Sequence, residues 1–248
     1  MLTALDRLGL EVKYLDRARA FYEDRLGLDP VDVSETAVTY TVGETSLVLR
    51  RPSGVPRGGL HTHFAFTTPA DEYDDWLADF ADLDPEEYTF GTYRSLYVDD
   101  PDDHCVEIGG IDDADGGNAD ANGTEGANGV DGSGLTGIFE VVLEVEELAR
   151  AEAFYLALGF DVVDRGDERR RVRLRGPFDL ELWEPQLGLA DARGGVHLDL
   201  ELAVADPDVA VEAVDEWVSD PVVVDSDDGV RRLRVRDPDC HLLTFTGR

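Results

Sequence analysis

The sequence predicts an α+β fold built from four copies of one unit, each a strand, a helix and then short strands. Two observations predict it: apolar spacing alternates between a strand period and a helix period, and the second half of the chain repeats the first. Residues 112–134 are rich in Gly, Asp, Asn and Ala and predict a flexible linker. We therefore expect one domain at 1–111 and another at 135–248.

Three stretches carry the repeat. They are AFYEDRLGL at 20–28 with AFYLALGF at 153–160, GGLHTHFAF at 58–66 with GGVHLDLEL at 194–202, and VDDPDDHCVEI at 98–108 with VRDPDCHLLTF at 235–245. Each half also repeats within itself. The four resulting modules span about 1–52, 58–111, 135–186 and 194–248.

Each module opens with alternating apolar residues, which predict a strand with one buried face. These are Leu8, Leu10 and Val12; Leu60, Phe64 and Phe66; Val141, Leu143 and Val145; and Val196, Leu198, Leu200 and Leu202. An amphipathic helix follows in each module. Its apolar stripe is Ala18, Phe21, Tyr22 and Leu26; Tyr73, Trp76, Leu77 and Phe80; Phe154, Tyr155 and Leu158; and Ala210, Ala213, Val214 and Trp217.

The charge balance is strongly acidic, with 55 Asp and Glu against 22 Lys and Arg and a net charge of −33. Such a surface repels itself at low ionic strength and is stabilised by salt, which indicates adaptation to a salty cytoplasm. The chain lacks a basic patch that could neutralise phosphates, so nucleic acid is excluded as a partner. No long apolar run predicts a membrane span, and we expect a cytoplasmic monomer or homodimer with a small-molecule ligand.

RLGLEVKYLDRARAFYEDRLGL at 7–28, GGLHTHFAF at 58–66 and LYVDDPDDHCVEI at 96–108 resemble the vicinal oxygen chelate superfamily, which includes glyoxalase I, bleomycin-resistance proteins and extradiol dioxygenases. The resemblance implies two tandem domains, each of two βαβββ modules that form a curved, cleft-like sheet with helices outside. It also implies that metal ligands come from the first and last strands of each module. The metal would be Mn, Fe, Zn, Ni or Mg, or the clefts would hold none.

In the first half, the family's ligand positions fall on Arg7, Val48, His63 and Glu107. A guanidinium group stays protonated and cannot bind a cation, so this set is incomplete. Two alternatives remain. Either His61, His63 and Glu107 bind a metal, or Arg7 forms an ion pair with Glu107 in a cleft without metal.

In the second half, the same positions fall on Glu140, Glu181, Asp199 and Thr244, and His197 is expected to line the cleft. Three converging carboxylates would suit a hard cation such as Mg²⁺, Mn²⁺ or Ca²⁺. The alternative is a solvated cleft. The two-histidine, one-carboxylate triad of non-haem iron oxygenases is complete in neither half.

Several functions follow from the resemblance. One is a binding protein of the superfamily with an incomplete metal set and no assigned activity. A second is a metal-dependent lyase or extradiol-type dioxygenase acting on a substrate with vicinal oxygens. A third is a structural role in which one half supports the other. No catalytic residue is assigned. His104 and His241 are expected to be structural, and Tyr22 and Tyr155 to be packing residues with a hydroxyl at the boundary.

Overall fold

The computed structural model describes residues 1–52, 62–112, 134–166, 170–185, 198–219, 221–224 and 229–248. These residues form two curled eight-stranded sheets and four α-helices. The α+β fold class with four βαβββ modules is confirmed. His61 and His197, which the sequence places in the clefts, lie outside the described residues.

The modules share one order of elements. The first contains β1 (Leu2–Glu11), α1 (Leu15–Asp24), β2 (Pro30–Val33), β3 (Ala37–Val42) and β4 (Thr45–Arg50). The second contains β5 (Thr62–Thr68), α2 (Tyr73–Asp79), a 3-10 turn (Ala81–Leu83), β6 (Glu86–Phe90), β7 (Tyr93–Asp99) and β8 (Cys105–Gly110).

The second half repeats this order. The third module contains β9 (Gly137–Glu144), α3 (Leu148–Ala157), β10 (Asp161–Arg165), β11 (Arg171–Arg175) and β12 (Asp179–Trp183). The fourth contains β13 (Asp199–Val204), α4 (Pro207–Ala213), β14 (Val222–Val223), β15 (Arg232–Arg236) and β16 (Leu242–Gly247).

The modules pair across the two halves of the chain. One sheet has the order β14-β15-β16-β13-β1-β4-β3-β2 and joins the first module to the fourth; the other has the order β10-β11-β12-β9-β5-β8-β7-β6 and joins the second to the third. We expected adjacent modules to share a sheet, so the composition of the clefts is corrected. All four opening strands carry the same apolar pattern, and the sequence therefore does not indicate which of them pair.

The opening strands meet antiparallel at the centre of each sheet and turn one apolar face towards the helices. Leu8, Phe64, Val141 and Leu200 on this face are fully buried. Their alternation with Arg7, His63, Glu140 and Asp199 follows the period of two expected for a strand. Candidate ligands therefore lie on the face opposite the helix-covered core.

Helix packing and Asp-Pro turns hold the modules of each half together. In the first half, the Phe21 and Phe80 rings are 6.2 Å apart, and the backbone N–H of Lys13 donates to Asp102 at 3.0 Å. In the second half, the Phe154 and Trp217 rings are 6.1 Å apart. Each half is thus linked by its helices, whereas each sheet is shared between halves.

The first Asp-Pro turn is organised by a buried carboxylate, Asp100. It accepts hydrogen bonds from the Tyr22 hydroxyl at 3.0 Å and from the backbone N–H groups of Asp102 and His104 at 2.8 and 3.0 Å. Nδ1 of the His104 ring also lies 2.9 Å from Oδ2 of Asp100. Burial opposes ionisation of Asp100, but the charge and hydrogen bonds of His104 outweigh it, so the pKa of Asp100 is lowered.

Asp237 organises the equivalent turn in the second half. It accepts from the Tyr155 hydroxyl at 2.8 Å and from the backbone N–H groups of Asp239 and His241 at 3.0 and 2.8 Å. The His241 ring turns to the Glu144 carbonyl oxygen at 3.0 Å, and burial raises the pKa of Asp237. Both histidines serve the turns, as expected. The expectation that the hydroxyls of Tyr22 and Tyr155 lie at the boundary is wrong, since both are buried and each donates to a carboxylate.

Candidate metal centre

We name the helix-free face of the sheet formed by the second and third modules the histidine cleft. His63 on β5, Glu107 on β8, Glu140 on β9 and Glu181 on β12 occupy its ligand positions. Ala65 pairs with Glu107 on one side and with Glu140 on the other. Because Ala65 has only a methyl side chain, the two carboxylates can approach each other above it, beside His63.

Three ligand atoms converge in this cleft. Nitrogen or oxygen atoms of His63, Glu107 and Glu140 all lie within 4.8 Å of one another, and Nε2 of His63 is 3.1 Å from Oε2 of Glu107. The three residues are only 4%, 2% and 5% exposed. One imidazole and two carboxylates are suitable ligands for a divalent metal ion, and no other such group occurs in the described part of the chain.

The electrostatics of the cluster favour a cation. Burial and then the charges of Glu107 and Glu181 raise the pKa of Glu140 well above its usual range, and Arg173 acts in the opposite direction. Two carboxylates this close repel each other unless a cation or a proton lies between them. The donor set therefore fits a metal ion.

Arg173 on β11 supplies part of the missing positive charge. It forms an ion pair with Glu140, and its Nη2 and Nη1 atoms lie 2.9 Å from Asp179 and 3.7 Å from Glu181. Burial disfavours the charged guanidinium, but Glu140 and Asp179 outweigh it and the pKa of Arg173 is raised. Arg173 was not identified from the sequence, although it shares the strand parity of a cleft residue.

Glu181 lies beside the cluster but outside the convergent group. Its carboxylate accepts hydrogen bonds from Nε1 of Trp183 at 2.7 Å and from Nη1 of Arg171 at 2.9 Å. Glu181 is thereby held by its own β-hairpin, at the fourth ligand position.

Aromatic side chains wall the cluster. The Tyr97 ring meets the His63 ring edge to face at 5.5 Å, and the Trp183 ring does so at 6.3 Å. Burial and the charge of Glu107 raise the pKa of Tyr97, and burial raises the pKa of Tyr93 to about 12. Both phenols stay protonated at neutral pH and can donate hydrogen bonds in the cleft.

We name the corresponding face of the other sheet the arginine cleft; its ligand positions hold Arg7, Val48, Asp199 and Thr244. Nη2 of Arg7 lies 3.6 Å from Asp199, and its Nε donates to Glu201 at 3.0 Å. The predicted ion pair of Arg7 with Glu107 is wrong, because the two residues lie in different sheets.

Arg50 and Gly9 complete the arginine cleft. Nη1 of Arg50 lies 2.9 Å from the fully buried Asp199. Gly9 allows Asp199 to approach β1, since a Cβ atom at this position would lie 3.1 Å from the Cβ of Asp199. Arg50 and Glu201 were also not identified from the sequence, although both share the parity of cleft residues.

The structure combines ligand positions from both halves in each cleft, whereas the sequence predicted one ligand set per half. His63 and Glu107 meet as expected, but they are joined by Glu140 from the other half. The predicted group of Glu140, Glu181 and Asp199 does not converge, because Asp199 lies in the arginine cleft. The cause is the pairing of modules across halves.

Residues 4–108 match the family model of the Glyoxalase/Bleomycin resistance protein/Dioxygenase superfamily. This segment belongs to that superfamily. The recognition from the sequence is therefore confirmed. Among curated relatives, the metallothiol transferase FosB of Staphylococcus haemolyticus is 26% identical over 116 residues, which are 44% of this chain and 84% of that protein. FosB of Staphylococcus epidermidis is 25% identical over 116 residues, which are likewise 44% of this chain and 84% of that protein.

Solved structures extend the likeness in fold to both halves. A candidate dioxygenase from Bacillus subtilis strain 168 superposes with a TM-score of 0.74 at 15% identity, covering 99% of this chain and 85% of that one. Glyoxalase I from Zea mays superposes with a TM-score of 0.66 at 16% identity, covering 98% and 92%. At these identities the likeness shows the fold alone.

The described helices are short. None has both the length and the apolar character that would let it cross a lipid bilayer.

Proposed function

We propose that the histidine cleft binds one divalent metal ion through His63, Glu107 and Glu140, and that the protein is a metal-dependent enzyme acting on a small molecule with two neighbouring oxygens. The convergence of these three buried ligand atoms from separate strands is the observation that carries the proposal. Membership of residues 4–108 in the superfamily supports it.

The set of ligands favours some metals and reactions over others. One nitrogen and two or three carboxylate oxygens suit Mn²⁺, Zn²⁺ or Ni²⁺ better than a thiolate-seeking ion. A second histidine, which the non-haem iron triad requires, is absent from the cluster among the described residues. We therefore favour lyase, isomerase or transferase chemistry over cleavage of an aromatic ring.

A bound metal ion would supply Lewis-acid polarisation of the substrate oxygens. Tyr93 would donate a hydrogen bond to the substrate, since its phenol remains protonated, whereas the hydroxyl of Tyr97 donates to Glu107. Trp183 and Tyr97 would exclude water from the side of His63. Glu181, at the fourth ligand position, would either join the set or leave that position to the substrate.

Metal titration of the full-length protein tests this proposal. We expect isothermal titration calorimetry with Mn²⁺, Zn²⁺ and Ni²⁺ to show a single site per chain for at least one ion, and thermal unfolding to shift upward with that ion. His63→Gln should abolish this site. Thr244→Val, at the equivalent of the Glu181 position in the other cleft, is the matched control and should bind normally.

The second candidate function is that of a metal-free binding protein. The ion pair between Arg173 and Glu140 favours this second function, because Arg173 already neutralises part of the cluster. Absence of saturable binding for every ion tested, in protein stripped with a chelator and then reloaded, would contradict the metal site and favour this second function.

We also propose that the protein works in a salty cytoplasm. The net charge of −33 supports this, since the Debye length falls from about 10 Å at 0.1 M salt to about 3 Å at 1 M. The free energy of unfolding in KCl should rise steadily between these concentrations. A flat or falling dependence would contradict the proposal.

A further inference from the structure

A continuous series of aromatic rings borders the histidine cleft. We name it the aromatic arc; its members, in order of ring contact, are Tyr97, Tyr88, Phe90, Tyr93 and Phe139. Successive ring centroids lie 5.5, 6.4, 5.7 and 6.2 Å apart. The first ring contacts His63 at 5.5 Å, and the last belongs to the residue that precedes Glu140. The arc therefore begins and ends beside proposed metal ligands.

A β-bulge brings Phe139 into the arc. The pairing of β9 with β5 skips Phe139, which is therefore an extra residue between Ile138 and Glu140. A bulge redirects the side chain of the residue that it inserts. The ring of Phe139 accordingly lies 6.2 Å from that of Tyr93, on the cleft side of the sheet. Strict alternation from Glu140 would have placed it on the core face.

Small residues lie between the rings of the arc. Ser95 on β7 pairs with Gly109 on β8, and Gly109 follows Glu107 by two residues on the same face of the strand. A Cβ atom on Gly109 would lie 3.1 Å from the ring of Phe139, so the glycine allows this ring to lie close to the sheet. The floor of the cleft next to Glu107 is thus formed by small side chains and bordered by rings.

Two corresponding positions of the arginine cleft hold other residues. Thr39 pairs with Val48 there, whereas Tyr97 pairs with Glu107 in the histidine cleft. Arg50 stands two residues after Val48, where the histidine cleft has a glycine. The shared fold therefore does not require aromatic residues or glycine at these positions, and the arc is a property of the histidine cleft.

Part of the arc is open to solvent. Phe90 is 40% exposed, and Tyr93 and Phe139 are partly exposed. Covering exposed apolar surface is favourable, and a ring laid against other rings gains a further attraction when it packs edge to face or offset. Sites for small molecules typically combine such apolar walls with a few polar groups, here the proposed metal ligands.

We propose that the substrate of the histidine cleft carries an aromatic ring next to its two metal-binding oxygens, and that the aromatic arc holds this ring. This inference rests on the proposed metal site, because the metal ion holds the oxygens at one end of the arc. Phe139 and Tyr93 are the main contacts of the ring, since they lie nearest to Glu140. The hydroxyl of Tyr97 donates to Glu107, so Tyr97 contributes its ring alone.

Calorimetric titration of the metal-loaded protein with three 2-oxo acids tests the proposal. Phenylglyoxylate, cyclohexylglyoxylate and pyruvate carry the same two neighbouring oxygens and the same charge, and they differ in the attached group. We expect phenylglyoxylate to bind at one site per chain, roughly tenfold more tightly than pyruvate and roughly threefold more tightly than cyclohexylglyoxylate.

Three outcomes would overturn the proposal, and they are distinguishable. Equal affinities for phenylglyoxylate and pyruvate would show that the arc does not hold the ring, which is also the result if a second copy of the chain covers it. Equal affinities for phenylglyoxylate and cyclohexylglyoxylate would show a site for any apolar group. A protein that binds no metal ion loses the proposed function as well, whereas one that binds metal without preferring the aromatic acid loses this inference alone.

Variants locate the ring. Phe139→Leu should reduce the preference for phenylglyoxylate over pyruvate roughly fivefold, because it removes a ring and keeps the apolar bulk. This preference is the readout because loss of the metal would weaken both acids. Phe90→Leu, at the exposed edge, should have a smaller effect and serves if Phe139→Leu does not fold. Tyr14→Leu removes an exposed ring just before α1 and is the control. An equal loss in Tyr14→Leu, or an unchanged preference in both phenylalanine variants, would overturn the proposal.

Discussion

The two clefts share one backbone but differ in what their strands present. Around Ala65, the histidine cleft brings His63, Glu107 and Glu140 together. Around Gly9, the arginine cleft brings Arg7 and Asp199 together at 3.6 Å. The repeated fold therefore determines at which positions side chains converge. The residues at these positions in each module determine which ion the cleft can bind.

The two clefts also differ in how their buried carboxylates are neutralised. Asp199 is fully buried between Arg7 and Arg50, so its counter-ions belong to the protein. In the histidine cleft, Glu140 is partly compensated by Arg173, and Glu107 lies beside the ring of His63. An uncompensated buried charge is costly, and the histidine cleft is thus the one that gains most from an added cation.

Copying the arginine cleft into the histidine cleft should have the largest effect. Glu107→Val installs the side chain that the other cleft has at Val48 and removes a ligand. We expect metal affinity to fall by roughly 1,000-fold, about 4 kcal/mol, in calorimetric titration. Thr45→Val on β4 is outside both ligand sets and serves as a control. Unchanged metal affinity in Glu107→Val would show that Glu107 is not a ligand.

The reverse exchange should create a second site. Arg7→His with Val48→Glu gives the arginine cleft one imidazole and one carboxylate beside Asp199. We expect metal stoichiometry to rise from one to two per chain, with the new site on the order of tenfold weaker because Arg50 remains beside Asp199. A stoichiometry that stays at one in a folded variant would show that backbone placement alone is insufficient.

Much of this comparison could be predicted from sequence. Strand parity correctly separated His63, Glu107 and Glu140 from their apolar neighbours, because a strand alternates its faces. The pairing of modules could not be predicted, since it depends on contacts between strands with one shared pattern. That pairing decides which ligands meet, so the convergence of Glu140 with His63 was missed.

The arginines were missed for a different reason. Arg173 lies on β11, where arginine alternates with apolar residues, and Arg50 is the last residue of β4; both patterns also describe an ordinary solvent-facing strand. Their partners, Asp199 and Glu140, come from other modules. Only the assembled sheet shows that these charges compensate buried carboxylates.

Removing the positive charge of Arg173 from the histidine cleft should increase the difference in metal affinity between the two clefts. Arg173→Gln frees Glu140 and lowers the local positive charge, so metal affinity should rise about tenfold, or 1.4 kcal/mol. The metal-free protein should lose stability, because Glu140 is left buried without its partner. Arg175→Gln is the control, because Arg175 lies on the same strand and pairs with Asp179. A fall in metal affinity in Arg173→Gln would mean that Arg173 supports the site and does not compete with the metal.

The smallest expected effect is a difference in the stability that the two Asp-Pro turns lose when their tyrosine hydroxyl is removed. Tyr22→Phe and Tyr155→Phe each remove one buried hydrogen bond, worth about 1 kcal/mol at pH 7. Tyr155→Phe should cost more, because Asp237 lacks the ring contact that His104 gives Asp100. Denaturant unfolding of both variants in concentrated KCl measures the difference.

The pH dependence of that difference follows from opposite pKa shifts. The pKa of Asp100 is lowered from 3.8, so its contribution to stability is present above 3.8 and is lost only as pH falls through the folded value. The pKa of Asp237 is raised from 3.8, so the folded state takes up a proton first and ionisation of Asp237 reduces stability as pH rises through the folded value. Acidification from pH 7 to pH 4 should therefore shrink the cost of Tyr155→Phe and leave that of Tyr22→Phe nearly constant. Equal costs at both pH values would show that His104 does not distinguish the two turns.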